Sequence, residues 1–317
     1  MTTRSAATAA SSLVAHRFGG IALTWSDAAA LLAVVLWGLN FPITKQLMVA
    51  TDPLAVTFLR AALSALVFAA ILTFSRQWKL PKARDIGRIV VVGLIGMTLN
   101  AVLYAYGLHL TTASHSGLIF TVTPLLVFVT SHVLGLLRLT RKDVLGLSIG
   151  LVGAAVIVGA PLLSGGESGA SLLGDLLTVG AAVTWGAWML LAAPLLRRYD
   201  TLNVTSWITM VGVVGLFPLA LPGLLAHNWT QVSLPEVGGL LYSGIFAGAV
   251  GGLLWYGAMR QIGAARTIVY ANMESFFVVL FAALLLSERV EWTALVGGLA
   301  IVAGVLLTRH RGASASS

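Results

Sequence analysis

The chain has no cysteine, which removes disulfides, cysteine-based metal sites and thiol catalysis together. Charge is scarce as well. Asp, Glu, Lys and Arg make up 9% of the residues, against about 25% in an ordinary soluble domain. Acids are scarcer than bases, 11 against 19 Lys and Arg, for a net charge of +8. No GxxxxGK[ST] phosphate loop occurs, so this chain does not hydrolyse ATP by itself, and the interruptions between apolar runs leave no room for a nucleotide-binding domain. There is no HExxH and no paired acidic motif, and His16, His109, His115, His132, His227 and His310 never make a metal-ligand spacing. No cofactor and no metal are expected. A channel would show a ring of like charges or a filter-like loop, and neither is present.

What fills the chain instead is apolar: 58% of the residues are hydrophobic. They fall into ten runs, about 27–45, 53–74, 86–106, 112–134, 143–161, 171–193, 203–222, 236–257, 266–287 and 292–309. Each is close to the ~20 residues a helix needs to cross a bilayer. Runs this long and continuous are helices, because only a helix satisfies its own backbone polar groups in lipid. The expected class is an all-α membrane protein.

The basic residues then serve as a topology signal. Arg4 and Arg17, the cluster Arg76 to Arg88, Arg138, Arg141 and Lys142, Arg197 and Arg198, Arg260 and Arg266, and Arg309 and Arg311 all fall on the side that holds the N-terminus, 16 of 19 in all. By the positive-inside rule both termini are cytoplasmic. The positive charge is therefore a topology signal, and no nucleic acid is expected as a partner. Residues 1–26 read as a disordered cytoplasmic tail and 310–317 as a second one. No apolar core precedes a small-residue cleavage site, so no signal peptide is expected. The expected location is the bacterial cell inner (plasma) membrane, as a monomer or homodimer.

The chain repeats at a spacing of about 150 residues. Trp37-Gly38 recurs as Trp185-Gly186, Tyr106-Gly107 as Tyr256-Gly257, and Gly146 and Gly153 as Gly297 and Gly304. Each half then holds five spans, and an odd number makes the second half enter from the opposite side. Inverted repeats of this kind carry a substrate site near the midplane where the halves meet.

With "WGLNF" in the first span, Phe58-Leu59-Arg60 after Pro53 in the second, "GDLLTVGAAVTWGAWMLL" opening the second half and "LLLSERVEWTALVGGLAIVAGVLL" closing it, the chain resembles the drug/metabolite transporter superfamily, in its ten-helix EamA-type branch. The resemblance covers nearly all of residues 27–309. It implies two inverted five-helix repeats, 27–161 and 162–309, N-in and C-in. It also implies export of amino acids or related metabolites. Two features depart from that pattern. The first half has "GLLRLTRKD" where the second has Ser287-Glu288, and Glu274 stands where the first half has Pro124.

Glu274 is the one acid deep within a span. It lies eight residues past Arg266, roughly 12 Å along a helix. An ionised carboxylate there costs about 2.5–3.5 kcal/mol, so it must face a wet cavity, find a partner or carry a proton. Helical spacing puts Tyr270, Glu274, Phe277 and Phe281 on one stripe, read as cavity wall. Arg60 is the only basic residue within a span. It either snorkels outward or pairs with a substrate carboxylate or with Glu274. Trp37 and Asn40 share a face beside Pro42, Asn100 aligns with Tyr104, and Trp185 with Trp188. All six point to the interior as substrate-binding candidates. Pro124 and Pro194 free the carbonyls of Phe120 and Leu190 and mark hinges or kinks. His115 is a candidate proton shuttle, and the glycine patterns of spans 5, 8 and 10 read as packing faces.

These features point to a secondary transporter that moves small amphiphilic metabolites by alternating access, with Glu274 as cation or proton site. Its partners are a small-molecule substrate and the lipid bilayer, and no ATPase subunit is needed. The alternatives are a multidrug, vitamin or nucleobase permease of the same fold, or an intramembrane enzyme on lipid-linked substrates. The enzyme would need clustered catalytic groups that the motifs do not supply.

Overall fold

The computed structural model describes residues 17–18, 21–22, 24–133, 140–163, 171–262, 264–288 and 290–308. Arg17–Phe18 and Ile21–Ala22 form a two-residue antiparallel ladder, and among the described residues every later element is a helix. In order come α1 (Trp25–Ala50), α2 (Pro53–Phe74), α3 (Ala83–Leu110), α4 (Ala113–Phe120), α5 (Thr123–Val133) and α6 (Arg141–Leu163). The second half follows with α7 (Leu172–Arg198), α8 (Thr201–Ala226), α9 (Leu234–Ile262), α10 (Ala264–Leu286) and α11 (Trp292–Thr308). Each apolar run coincides with one helix, except the fourth, which is split into α4 and α5. Among the described residues six helices, α1, α2, α3, α7, α8 and α9, are long and apolar enough to cross a membrane. The tail 310–317 lies outside the described residues, as do 134–139, which hold most of the departing "GLLRLT".

The helix starts explain where most of the acids sit. Thr24 and Asp27 form a capping box on α1, as do Ser233 and Glu236 on α9. Asp52 accepts from the backbone N–H of Leu54 and Ala55 ahead of α2, with Pro53 at the first helical position. Asp200 caps α8. A carboxylate at these ends satisfies orphan N–H groups and faces the positive end of the helix dipole.

The packing is unchanged when the two halves are exchanged. α6 lies along α11, and α2 along α8. α1 packs on α10, and correspondingly α7 on α4 and α5. α3 packs on α7, and α9 on α1. The recurring glycines show the same exchange. A Cβ on Gly153 would strike the Gly297 carbonyl, and one on Gly304 would strike the Gly146 carbonyl. These are two copies of one contact, and they bring the backbones of α6 and α11 together.

Two features break helical regularity, the first of them in both halves. Residues Leu94–Leu99 of α3 and Tyr242–Gly251 of α9 are π-helical, a geometry that widens the turn and is frequent at functional sites. The break between α4 and α5 falls at Thr121 and Val122, where Pro124 cannot continue the ladder from Phe120. Pro42 and Pro194 lie inside unbroken helices.

Candidate functional site

A cavity of about 220 Å³ lies where the halves meet. The first half contributes Trp37, Asn40 and Phe41 from α1, Thr57, Arg60, Ser64 and Phe68 from α2, Met97, Asn100 and Tyr104 from α3, and Phe120 at the end of α4. The second contributes Trp185 and Trp188 from α7, Thr205, Ile208, Thr209 and Leu216 from α8, Ser243, Ala247, Gly248 and Tyr256 from α9, and Glu274 from α10. Helices α6 and α11 supply none of these residues, which fits their role as glycine-packed scaffold.

Aromatic rings wall the cavity in two groups. Trp255, Trp37, Trp185, Trp188 and Tyr256 form a chain of ring contacts with centroids 4.9–5.8 Å apart. In it the repeat mates Trp37 and Trp185 touch edge to face at 5.8 Å, so the relation between the halves passes through the site. Phe41, Tyr104 and Phe120 form the second group, 5.3–6.2 Å apart. The π-helical stretch of α9 holds two residues of the wall. Trp37 Nε1 donates to the Ala247 carbonyl at 2.9 Å, and Ser64 Oγ to the Gly244 carbonyl at 2.7 Å.

Polar groups on this wall are incompletely paired. Nε and Nη1 of Arg60, the Tyr104 hydroxyl, Trp188 Nε1 and the Ser243 hydroxyl are buried without a hydrogen-bond partner within the protein. The Arg60 guanidinium lies 5.8 Å from the centre of the Tyr104 ring, in cation–π range. Among the described residues no ion pair joins Arg60 to Glu274. A second space of about 20 Å³ adjoins Glu274 on the side of Thr123, Trp255 and Ala271. That is room for about one water, and the buried Thr123 hydroxyl and Trp255 Nε1 facing it also lack partners. Glu274 thus lines both spaces.

Eight of the sequence-derived candidates line the main cavity: Trp37, Asn40, Arg60, Asn100, Tyr104, Trp185, Trp188 and Glu274. Asn100 is already committed, its amide donating to Ala181 O at 2.7 Å and Thr184 Oγ1 at 3.1 Å. Tyr270 lies elsewhere: its hydroxyl donates to Asp27 at the start of α1 at 2.9 Å. Phe277 packs beneath Gly38, and Phe281 stacks on Phe277. The stripe expected to be cavity wall therefore reaches the cavity only at Glu274, because the space is confined to the middle of the bundle and neighbouring turns are packed.

His115 is also off the cavity. It is buried, with Nδ1 3.0 Å from Asp175 Oδ2, and Thr111 donates to the other oxygen of Asp175 at 2.5 Å. Asp175 in α7 is the repeat mate of Asp27 in α1, so each half closes one end of the bundle on a buried aspartate. Sequence reasoning placed both acids near span ends and missed this use. The offset of 148 that relates Trp37 to Trp185 was the available signal. Cavity residues that sequence reasoning missed are mostly small or hydroxylic ones, such as Thr205, Thr209 and Ser243, which do not stand out in an apolar run.

The EamA-like transporter family matches this chain twice, over residues 24–159 and 172–309. An uncharacterized transporter, YdeK, of Bacillus subtilis is 27% identical over 88% of this chain and 95% of its own. A protein of Streptantibioticus cattleyicolor named "Probable terminal-alkyne amino-acid exporter" is 28% identical over 89% of this chain and 93% of its own. A crystal structure of a protein 19% identical superposes with a TM-score of 0.61, covering 89% of this chain and 97% of that one. That likeness concerns the fold alone. Two matches, one on each five-span half, cover nearly all of the described helices, and the relatives are transporters rather than enzymes. The chain belongs to the EamA-like transporter family and is a multi-pass membrane transporter.

Proposed function

We propose that the protein is a secondary transporter that exports small amphiphilic metabolites, amino acids or close relatives, with Glu274 as the site of the substrate ammonium or of a coupled proton. The observation that carries this reading is a lone carboxylate, Glu274, on a cavity walled by tryptophans where the two halves meet. A carboxylate in an aromatic pocket suits an ammonium group, which gains both charge attraction and ring faces. The water-sized space beside Glu274 supports a proton role, since one water there could exchange a proton with the carboxyl. The name of the S. cattleyicolor relative supports an amino-acid-like substrate and outward direction.

The test is counterflow in proteoliposomes loaded with a pool of amino acids and related amines, the exchanged species being identified by mass spectrometry. Wild type is expected to exchange a zwitterion or an amine, and Glu274→Gln to lose that exchange. Full transport by Glu274→Gln and Glu274→Ala at every pH would remove Glu274 from the mechanism.

A further inference from the structure

Arg60 is the feature that a cation site at Glu274 leaves unexplained. Outside the cavity ion pairs form where opposite charges meet, as Lys79 with Asp200 at 2.8 Å and Arg198 with Asp85 at 2.5 Å. Within the cavity the opposite holds. Arg60 and Glu274 line the same space with no ion pair between them, although direct pairing would relieve the desolvation of both. Arg60 is not free to snorkel away either, because its Nε and Nη1 are buried and its guanidinium lies over Tyr104. Its backbone is held as well. The Ser64 hydroxyl bridges the carbonyls of Arg60 and Gly244, which fixes α2 against the π-helical stretch of α9.

Among the residues that line the cavity, the unpartnered groups are all capable of donating: Nε and Nη1 of Arg60, the Tyr104 hydroxyl, the Ser243 hydroxyl and Trp188 Nε1. Among the described residues no acid but Glu274 lines the cavity. A carboxylate accepts through two oxygens with about four lone-pair sites, and a guanidinium meets it as a planar fork. Such a set of donors leaves an amine without a carboxylate facing unsatisfied groups, which is the strongest kind of discrimination a binding site makes.

We propose that the Arg60 side of the cavity is a carboxylate-reading half-site, and that the transporter selects zwitterions by joining it to the carboxylate of Glu274 across the cavity. This rests on the reading of the cavity as the transport site. Arg60 and Tyr104 belong to the first half of the chain, Ser243 and Glu274 to the second. A bound zwitterion therefore ties one half to the other, whereas an amine or a simple acid engages only one charge. Differential contact of this kind is what a ligand needs to shift an equilibrium between conformations.

The experiment uses the full chain in proteoliposomes and three matched pools: the common amino acids, the amines left by their decarboxylation, and the acids left by replacing the amino group with hydrogen. Wild type is expected to exchange amino acids about tenfold or more over either analogue, the scale of a lost hydrogen bond to a charged group. Arg60→Gln is expected to abolish that preference in favour of the amines, and Glu274→Gln to shift it towards the acids. A switched preference cannot come from misfolded protein. Arg60→Lys, which keeps the charge and loses the fork, is expected to retain preference for amino acids at reduced rate. Wild type exchanging amines as readily as amino acids overturns the half-site and leaves the transporter reading standing, as does an unaltered preference in Arg60→Gln. Exchange of none of the pools by monodisperse wild type overturns both.

Discussion

Asp27, Asp52, Asp143, Asp200 and Glu236 each accept from backbone N–H groups at a helix start, so their position at the ends of apolar runs follows from capping. Glu274 has no such duty, and that contrast was legible in the sequence from position alone. The chemistry of a cap residue is open to test at Asp200. Burial alone would raise its pKa, but hydrogen bonds from Lys79 and Asn203 outweigh this and bring it from 3.8 down to about 2. A carboxylate depressed on folding stabilises the native state above its unfolded value and loses that contribution as pH falls through the folded one. Wild type is therefore expected to melt progressively earlier as pH falls from 3.8 towards 2. The gap between wild type and Asp200→Asn should narrow over the same interval in thermal unfolding of detergent-solubilised protein. A gap independent of pH would mean that the carboxylate adds nothing beyond what the amide supplies.

Among the elements, α4 shows how the halves are tied. Glu288, in the loop after α10, accepts from the backbone N–H of Ala113 and Ser114, both at 2.9 Å, and from the Ser114 hydroxyl at 2.7 Å. The acid that marks the second half in the sequence thus caps a helix of the first. Glu288→Ala is expected to cost about 1–2 kcal/mol, the range for a lost charged cap, with Glu288→Gln in between; equal melting temperatures for all three would show that the N-cap Thr112, which accepts from the His115 N–H at 3.1 Å, suffices. Nearby, Lys45 Nζ donates to the carbonyls of Leu108, His109 and Thr111 at 2.6–2.8 Å, which closes the end of α3. The helices α6 and α11 make a firmer prediction. Gly304→Ala puts a Cβ into the backbone of Gly146 and Gly150, so it is expected to destabilise by about 1–3 kcal/mol as overpacking. Yield and melting temperature of the purified variant read this directly. The split of the fourth span followed from Pro124, but the π-helical stretches of α3 and α9 left no mark in composition. In the α9 stretch the indole of Trp37 from α1 takes the Ala247 carbonyl, and from the α3 stretch the Thr98 hydroxyl donates to the Gly212 carbonyl of α8, contacts between helices that composition does not record.

At the scale of the whole molecule, the packing repeats when the halves are exchanged, and five spans per half, as the apolar runs predict, would make the two halves face opposite ways in the membrane. The distribution of basic residues then predicts cytoplasmic termini. A chain with no cysteine makes this easy to check. Gln77→Cys, in the loop before α3, is expected to react with a membrane-impermeant maleimide only after cells are permeabilised. Thr230→Cys, between α8 and α9, should react in intact cells, and the reverse pattern would invert the topology. The basic end is also where the halves interlock through charge, with Arg198 and Tyr199 of α7 meeting Asp85 of α3. At the opposite end Asp175 gathers His115 and Thr111, and Glu288 caps α4.

The sequence by itself determined the class, the apolar runs, the repeat and eight residues of the cavity wall, because each of these is written in local quantities: hydropathy over about 20 residues, charge between runs, and identities repeated at one offset. It also singled out Arg60 and Glu274, since a charge in an apolar run stands out whatever its surroundings. Only the tertiary structure decided what those charges do. Tyr270 and Glu274 are equally placed on a helical stripe, yet one meets Asp27 and the other the cavity. Arg60 was open to snorkelling, to pairing with Glu274 or to facing the site. Which of these holds depends on the approach of helices more than 100 residues apart in the chain, and helical spacing within one segment carries no information about its neighbours.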